Sequence, residues 1–235
     1  APMNTWRVMT WDLLGARDPD ITRVAAVIDD HRPDVVALQE VRRGQARRLA
    51  RRLGWQHYWT VKHYPYTPLL WWRAEGLAIV SPWTLSARLA TTISPEVSTW
   101  TYRHRVLLAA TVTRADGSMR LFDTHLAGED ADRRVTQARR VADRIRADTA
   151  DCVVVAGDFN TTGGSEAAVL GEFAAVGLAD HGGALTNPAE APYQRIDYVL
   201  VPQSAQWVQT LTPTGTDSWR ELSDHLPVLV EFAPR

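Results

Sequence analysis

Two oxygen-bearing side chains follow a short apolar run past the middle of the chain. Residues 152–156 read Cys-Val-Val-Val-Ala, Gly157 closes the run, and Asp158 and Asn160 come just after it. Such a run predicts a strand buried on both faces, and open α/β sheets bind ligands beyond the carboxyl ends of such strands. A carboxylate and a carboxamide there suit a hard cation or a phosphoryl group. The same string is equally typical of a strand that ends in an Asp/Asn turn.

An acid or a histidine at a predicted strand end recurs along the chain. The residues in such positions are Asp12, Glu40, His125, Asp158 and the pair Asp224 and His225. A lone strand-end acid usually caps a turn, and a lone histidine is usually structural. Together, however, carboxylates and imidazoles indicate a divalent-metal site with histidines beside it, and no Cys–His spacing typical of zinc competes with it.

Strand and helix patterns alternate along the chain. Buried strands are predicted at residues 6–12, 34–40, 76–80, 106–113, 120–125, 153–157, 196–201 and 227–232. Apolar residues recur at helical spacing in residues 21–28, 46–53, 135–145 and 165–175, with Asp130 or Asp132 as the cap of the third helix. Residues 55–72 are predicted as strand and then loop, and residues 82–104 as a long loop or short hairpin. The alternation has no linker, which favours one domain over residues 1–235 with helices covering sheets.

Composition narrows the function classes. An apolar share of 45% and a charged share of 23% are ordinary for a soluble globular protein, and no apolar run approaches the ~20 residues that span a bilayer. The net charge of −1 gives no general attraction for nucleic acid or membrane, so a polyanion must be recognised locally. The single cysteine, Cys152, excludes an internal disulfide. We therefore expect a soluble monomer, either cytoplasmic or secreted after removal of a signal peptide.

Six short strings resemble the successive motifs of the endonuclease/exonuclease/phosphatase superfamily, which includes the deoxyribonuclease I-like enzymes. They are Thr10-Trp11-Asp12, Leu38-Gln39-Glu40-Val41, Asp123-Thr124-His125-Leu126, Gly157-Asp158-Phe159-Asn160, Arg195-Ile196-Asp197-Tyr198-Val199 and Ser223-Asp224-His225-Leu226-Pro227. They stand in the family's order over residues 6–232. The resemblance implies a four-layer α/β sandwich, in which two mixed β-sheets pack face to face with helices outside.

The resemblance also implies a metal site. Glu40 matches the family's metal-binding glutamate, Asp224 lies beside the metal, and Asp158 and Asn160 match the pair that orients the attacking water and the phosphate. The implied cofactor is Mg²⁺ or Mn²⁺. Asp12 falls where the family usually has an asparagine, and its extra negative charge would tighten metal binding, require a second ion or repel substrate.

Two histidines are implied to serve catalysis, each oriented by a carboxylate. His225 matches the histidine that contacts the scissile phosphate as acid or base, with Asp197 as its partner. His125 matches the second histidine of the deoxyribonuclease I-like members. Glu75, just before a predicted strand, occupies the place of its orienting glutamate.

The implied reaction is phosphodiester hydrolysis, and we expect a nuclease acting on DNA or RNA. Arg42, Arg103 and Arg105 are candidates to contact substrate phosphate, although each would also fit an ordinary solvated position. Hydrolysis of a lipid headgroup, as by a sphingomyelinase, or of another small phosphoester is the alternative. A binding module without activity is disfavoured, because every catalytic position of the family is filled.

Aromatic residues crowd the segment from residue 55 to residue 72. They include Tyr58, Trp59, Tyr64, Tyr66, Trp71 and Trp72. Packing beneath a loop, a stacking platform for bases and an apolar rim for a lipid phosphodiester all fit this composition.

Overall fold

The computed structural model describes residues 5–63, 68–94, 104–162, 164–212 and 219–235. Three residues singled out from the sequence, Tyr64, Tyr66 and Arg103, lie outside these ranges.

Twelve strands and five α-helices lie within the described residues. The strands are β1 (Trp6–Asp12), β2 (Val35–Arg42), β3 (Gln56–His63), β4 (Glu75–Ser81), β5 (Thr84–Thr92), β6 (Val106–Arg114), β7 (Gly117–His125), β8 (Val153–Asp158), β9 (Leu178–Ala179), β10 (Asp197–Pro202), β11 (Gln206–Leu211) and β12 (Val228–Ala233). The helices are α1 (Ile21–His31), α2 (Arg43–Leu53), α3 (Ala131–Arg146), α4 (Glu166–Ala174) and α5 (Trp219–Leu222), and 3₁₀ turns occupy Gly15–Arg17 and Pro68–Arg73.

The strands form two mixed six-stranded sheets. The first has the order β11-β12-β1-β2-β4-β3, and the second has the order β5-β6-β7-β8-β10-β9. Each sheet contains one parallel pair, β1 with β2 and β7 with β8, and its other pairs are antiparallel.

Three apolar clusters hold four layers together. The inner cluster joins the facing sides of both sheets, with Val8 and Leu77 of the first sheet against Leu108 and Val154 of the second. A second cluster packs α1, α2 and α5 on the outer side of the first sheet. A third packs α3 and α4 on the outer side of the second sheet. The predicted four-layer α/β sandwich is thus confirmed.

Local sequence signals define the helix ends. Asp20 accepts hydrogen bonds from the backbone N–H groups of Thr22 and Arg23 at the start of α1. Asp130, one of the two predicted caps, accepts from the N–H of Arg133 at the start of α3. Gly54 ends α2 with a φ of 71°, a left-handed conformation that glycine adopts without strain. No helix within the described residues is both long and apolar enough to cross a membrane.

The strand register gathers the candidate catalytic residues at one edge of the sandwich. In the parallel pairs, Asp12 lies opposite Gln39, the neighbour of Glu40, and His125 lies opposite Asp158. Strand β10 runs antiparallel to β8, so its first residue, Asp197, also lies opposite Asp158.

The expectation for residues 82–104 is wrong over Thr84–Thr92, which form β5. Only Leu85 in this strand is fully buried, and Ala87 breaks the strand pairing with a φ of 44°. An edge strand with so few buried positions lacks the apolar period that reveals other strands. For the same reason the exposed edge strand β11 was not predicted. The predicted loop after β3 contains the 3₁₀ turn Pro68–Arg73.

Candidate active site

Two overlapping groups of potential metal ligands lie at the edge where β1, β2, β7 and β8 end. The first is Asp12, Glu40 and His125, and the second is Asp12, Asp158 and His225. Within each group, one ligand atom per residue lies within 4.8 Å of the others. Asp12 belongs to both groups and is therefore the centre of the site.

The Asp12 carboxylate has one oxygen occupied and one oriented into the site. Its Oδ1 accepts a hydrogen bond from the backbone N–H of Leu14 at 2.9 Å. Its Oδ2 is buried and accepts no hydrogen bond from the residues that the structure describes. Burial and the nearby charge of Glu40 raise the pKa of Asp12 well above its ordinary value. A cation at Oδ2 would remove this penalty, so the donor set of carboxylates and imidazoles fits a hard divalent ion.

Glu40 is held in a strained backbone conformation. Its φ is 51°, a left-handed value that is uncommon for residues other than glycine, and the pairing of β2 with β4 is irregular between Leu38 and Val41. Gly15 packs directly against the bend, since a Cβ built on it would lie 2.4 Å from the carbonyl oxygen of Glu40. Only a residue without a side chain allows this approach.

Lys62 of β3 supplies a buried positive charge to the first group. Its Nζ lies 3.0 Å from Oε1 of Glu40 and 3.2 Å from Nδ1 of His125. Burial alone would raise the pKa of Glu40, but the charge and hydrogen bond of Lys62 outweigh it, and the pKa is lowered. Glu40 is therefore ionised and paired in the protein without bound metal.

The contact with Lys62 also selects the tautomer of His125. An ammonium group can only donate hydrogen bonds, so this contact favours the tautomer in which Nδ1 of His125 accepts and the ring proton is on Nε2, although Nδ1 also lies 3.6 Å from Oδ2 of Asp12. That nitrogen is 3.4 Å from Oδ2 of Asp158. His125 thus faces Asp158 as a donor.

Asp158 and Asn160 form a compact unit after β8. Oδ1 of Asp158 accepts from the backbone N–H of Asn160 at 2.8 Å, and Oδ2 accepts from its Nδ2 at 3.1 Å. Nδ2 of Asn160 also donates to the carbonyl of Leu126. Burial, followed by the charge of Asp197, raises the pKa of Asp158 to about 7.

His225 is paired with Asp197 on the opposite side of Asp12. Its Nδ1 lies 3.1 and 3.0 Å from the two carboxylate oxygens of Asp197, which is fully buried. Burial opposes charge on the imidazole, but Asp197 outweighs it and raises the pKa of His225 to about 11. The carboxylate therefore keeps a proton on Nδ1, and Nε2 takes no part in this contact.

Hydrogen bonds lock the His225 loop onto the end of β1. The Ser223 hydroxyl donates to the carbonyl of Asp12 at 2.5 Å and accepts from the N–H of His225 at 3.0 Å. The indole of Trp11 donates to the carbonyl of His225 at 3.1 Å. The metal-ligand end and the histidine end of the site are thus one rigid unit.

The sequence matches the model of the endonuclease/exonuclease/phosphatase family over residues 9–225. The chain belongs to this family. No curated protein sequence matches it.

Solved structures of the family share the fold across the whole chain. An endonuclease/exonuclease/phosphatase from Bacteroides vulgatus is 18% identical, with a TM-score of 0.80 over 99% of this chain and 100% of the other. The mannosyl-6-phosphatase Bt3783 of Bacteroides thetaiotaomicron is 19% identical, with a TM-score of 0.76 over 97% and 99%. TDP2 of D. rerio, complexed with a single-strand DNA product, is 19% identical, with a TM-score of 0.75 over 97% and 99%. At sequence identities of 18% and 19%, the similarity to these structures shows that the fold is shared.

Two of the acids that were predicted as site residues, Asp224 and Glu75, belong to neither of the two ligand groups. Asp224 is half-buried, while its carbonyl accepts from Ala189 and Asn187. Glu75 is buried at the start of β4, opposite Arg42, and burial followed by the charge of Glu40 raises its pKa. The metal-binding role of Asp224 and the pairing of Glu75 with His125 stay predictions.

Two of the three arginines that were predicted to contact phosphate, Arg42 and Arg105, lie near the site, and Arg103 lies outside the described residues. Arg42 is half-buried, and its Nη2 lies 3.4 Å from the carbonyl of Ala16. Arg105 is half-buried before β6, and its positive charge lowers the pKa values of both Glu40 and Asp158. Their contact with substrate stays a prediction.

Two residues that contact the site, Lys62 and Gly15, were not predicted from the sequence. Lys62 carries a visible signal, because it is the only lysine in a chain that otherwise uses arginine for its cations. It is also 95% buried. Gly15 directly follows the apolar stretch after Asp12, but its role depends on Glu40 approaching from another strand.

A buried polar layer beneath the site was also missed. Nε2 of Gln39 donates to Oδ1 of Asp123 at 2.7 Å and to Oγ1 of Thr10 at 3.1 Å. Burial raises the pKa of Asp123 well above its ordinary value. The layer joins β1 and β2 of the first sheet to β7 of the second, directly below Asp12, Glu40 and His125.

Proposed function

We propose that the chain is a divalent-metal-dependent phosphodiester hydrolase that acts on nucleic acid. The observation that carries the proposal concerns Asp12, which two groups of potential metal ligands share and whose buried Oδ2 accepts no hydrogen bond from the described residues. Membership of a family of nucleases and phosphatases gives this site its reaction class.

Asp12, Glu40 and Asp158 would hold Mg²⁺ or Mn²⁺, since hard ions prefer carboxylate oxygens. When bound, such an ion neutralises negative charge that develops on the phosphoryl oxygens and polarises the phosphorus centre. Lys62 would have to share Glu40 with the ion or release it. His125, with its proton on Nε2, would donate to a phosphate or water oxygen at the position that it now shares with Asp158.

His225 would act on the scissile group through Nε2. Asp197 holds the ring by Nδ1, fixes its orientation and stabilises its positive charge. A charged imidazole binds an anionic phosphate oxygen and can protonate a leaving alkoxide. Asn160, together with Asp158, would orient the attacking water.

Nucleic acid is favoured as the substrate by local positive charge near the cleft. Arg42 and Arg105 flank the carboxylates, and Arg105 acts electrostatically on both Glu40 and Asp158. A structural relative, TDP2, is known in complex with single-strand DNA, which makes a DNA strand compatible with this fold.

A lipid phosphodiester is the second candidate, because three apolar side chains just before β4 are exposed to solvent. Leu69 is 78% exposed, and Trp71 and Trp72 are 59% and 56% exposed, with their rings in edge contact. Such a group suits insertion at a membrane surface as well as stacking on bases.

A substrate panel distinguishes these functions. Plasmid DNA, RNA, an abasic duplex, sphingomyelin, inositol phosphates and mannose 6-phosphate would each be incubated with Mg²⁺ and with EDTA. We expect metal-dependent nicking of a nucleic acid. Cleavage of sphingomyelin or of a sugar phosphate with no nicking of any nucleic acid would replace the nuclease proposal with the corresponding alternative.

A further inference from the structure

The net charge of −1 conceals a strong segregation of charge. Residues 41–95 contain nine Lys and Arg residues and one acid, Glu75, so this segment carries +8 and the remainder of the chain carries −9. The segment builds α2, β3, β4 and β5. Strands β3 and β5 are edge strands of the two sheets and contact each other. The positive charge is therefore concentrated on one side of the sandwich.

Helix α2 contributes most of this charge. All five of its arginines are exposed, and the helix contains no acid. Arg43, Arg47 and Arg51 follow one another at intervals of four residues, which places them in one stripe. Like charges at this spacing destabilise a helix, and Arg43 also opposes the helix dipole at the N-terminus. Folding alone gives no reason for the stripe.

The two sides of α2 differ in their surroundings. Arg48 and Arg52 line a surface depression with Asp18 and Asp20, and Nη2 of Arg48 lies 4.0 Å from Oδ1 of Asp18. The ion pairs of the described residues include no partner for the stripe of Arg43, Arg47 and Arg51. Nearby acids thus offset the positive charge on the side of α2 that carries Arg48 and Arg52, whereas no ion pair within the described residues offsets the charge of the stripe.

Arg88 of β5 extends the unbalanced side. Its Cζ lies 5.4 Å from the centroid of the Tyr58 ring on β3. Burial lowers the pKa of the neighbouring His57, and the charges of Arg88, Arg47 and Arg43 lower it further. Guanidinium groups from two separate elements therefore surround the same point on β3.

We propose that Arg43, Arg47, Arg51 and Arg88 form a phosphate-binding track, along which the backbone of a nucleic acid lies outside the cleft. The track begins beside the catalytic edge, because α2 starts three residues after Glu40. It extends about 12 Å along α2, at about 1.5 Å per residue. A nucleic acid supplies closely spaced phosphates over such a length, and guanidinium groups bind phosphate oxygens in pairs.

A membrane surface fits this face less well. The apolar residues of α2, Ala46, Leu49 and Ala50, are buried against the first sheet, so the helix has no apolar side to enter a bilayer. The inference rests on the proposed nucleic-acid substrate, but it concerns binding and can be measured without turnover.

The two sides of α2 provide a matched comparison. The variants R43Q/R47Q and R48Q/R52Q each remove two positive charges from the same helix, and glutamine is a good helix former. Binding of a fluorescent DNA duplex would be measured in EDTA, where no metal-dependent cleavage occurs, over a range of salt concentrations. The charge-preserving variant R43K/R47K and a thermal melt of each variant control for changes in structure.

We expect R43Q/R47Q to reduce the slope of log K against log salt by roughly 1.8, or 0.9 per phosphate contact, and R48Q/R52Q to reduce it by less than about 0.5. R43K/R47K should retain the wild-type slope. Equal slopes for the two glutamine variants would overturn the track, whether or not the wild type cleaves DNA. Loss of binding to phosphatidylserine vesicles by R43Q/R47Q, with unchanged duplex binding, would also overturn it. A wild type that shows this difference in slopes but cleaves no nucleic acid would retain the track and lose the proposed function.

Discussion

Nζ of Lys62 lies 3.0 Å from Oε1 of Glu40, the carboxylate that we propose as a metal ligand. A lysine ammonium and a divalent cation would compete for this carboxylate. Repulsion between the two cations would weaken metal binding, whereas the ammonium lowers the pKa of Glu40 and so favours its ionised form in the metal-free protein. Lys62 would thus stabilise the metal-free protein and lower its affinity for metal.

Replacement of Lys62 by methionine should uncouple these two properties. We expect Lys62→Met to bind Mn²⁺ at least about tenfold more tightly, which corresponds to about 1.4 kcal/mol, because the competing charge is gone. Its melting temperature in EDTA should fall, because the repulsion between Glu40 and Asp12 then lacks the nearest counter-ion of Glu40. Isothermal titration calorimetry and thermal melts measure both quantities. Weaker Mn²⁺ binding by Lys62→Met would show that Lys62 supports the metal site instead of competing for it.

Lys62→Arg serves as the matched variant. It keeps the charge, but a planar guanidinium cannot reproduce the compact geometry at both Glu40 and His125. We expect no gain in Mn²⁺ affinity from it.

Gly15→Ala should damage the site without touching substrate. The new methyl group would lie 2.4 Å from the carbonyl oxygen of Glu40 and 2.5 Å from Oε1 of Gln45, so the bend that presents Glu40 must move. We expect a loss of metal affinity and of turnover. Gly44→Ala is the control, because its methyl group would meet only Nη1 of Arg48, at 3.9 Å, and would favour the α2 helix. Unchanged metal affinity in Gly15→Ala would refute the proposed role of this contact.

Stabilisation by Mg²⁺ should increase as the pH rises. The folded-state pKa of Asp158 is about 7, above its ordinary value of 3.8, so between these values the unfolded chain has released a proton that the native protein retains. The stability of the metal-free protein therefore falls over this range as the pH rises. His225 acts in the same direction, because its raised pKa makes its contribution full below about pH 6.5 and lost towards pH 11.

A bound metal would replace the proton on Asp158 and remove this penalty. We expect the rise in melting temperature caused by Mg²⁺ to be small near pH 5 and large near pH 8, since ligands must be deprotonated to bind. Asp158→Asn should flatten the fall in stability between pH 4 and 7 in EDTA. A larger Mg²⁺ effect at the acidic end would contradict the assignment of Asp158 as a ligand.

Asp197 and His225 should behave as one unit. Asp197→Asn leaves His225 without the charge that fixes its tautomer, so its loss of turnover should approach that of His225→Ala, roughly 10²–10⁴-fold. The double variant should be little worse than either single variant. Multiplication of the two single losses in the double variant would mean that the residues act separately.

The strand ends at the site could be predicted from sequence because central strands are contiguous apolar runs. β1, β2 and β8 are buried nearly throughout, so the residue at which each run ends, Asp12, Glu40 or Asp158, is visible. The motif strings around these residues implied the fold through their resemblance to the family. The edge strands β5 and β11 bury few side chains and left no comparable pattern.

Contacts between separate elements could not be predicted in the same way. Lys62 reaches Glu40, 22 positions earlier in the sequence, because β3 folds back along β4 beside β2. Its burial is visible only in three dimensions, although its status as the only lysine was visible in the sequence. The predicted partner of His125 was the acid Glu75, and nothing in the sequence indicated that Nζ of Lys62 also lies 3.2 Å from Nδ1 of this histidine. A family pattern specifies which residue types recur, but not which neighbour takes their second hydrogen bond.

The hydrolysis of bis(p-nitrophenyl) phosphate as a function of metal concentration measures whether Glu40, with Asp12 and Asp158, holds a divalent cation that hydrolysis requires. The wild type should show no turnover in EDTA and a saturable recovery with Mg²⁺ or Mn²⁺. Glu40→Gln should lose more than roughly 100-fold in kcat/KM at the same metal concentration while remaining folded, with a lower melting temperature because the buried Lys62 loses its counter-ion. Turnover that persists in EDTA, or that Glu40→Gln leaves intact, would contradict the account.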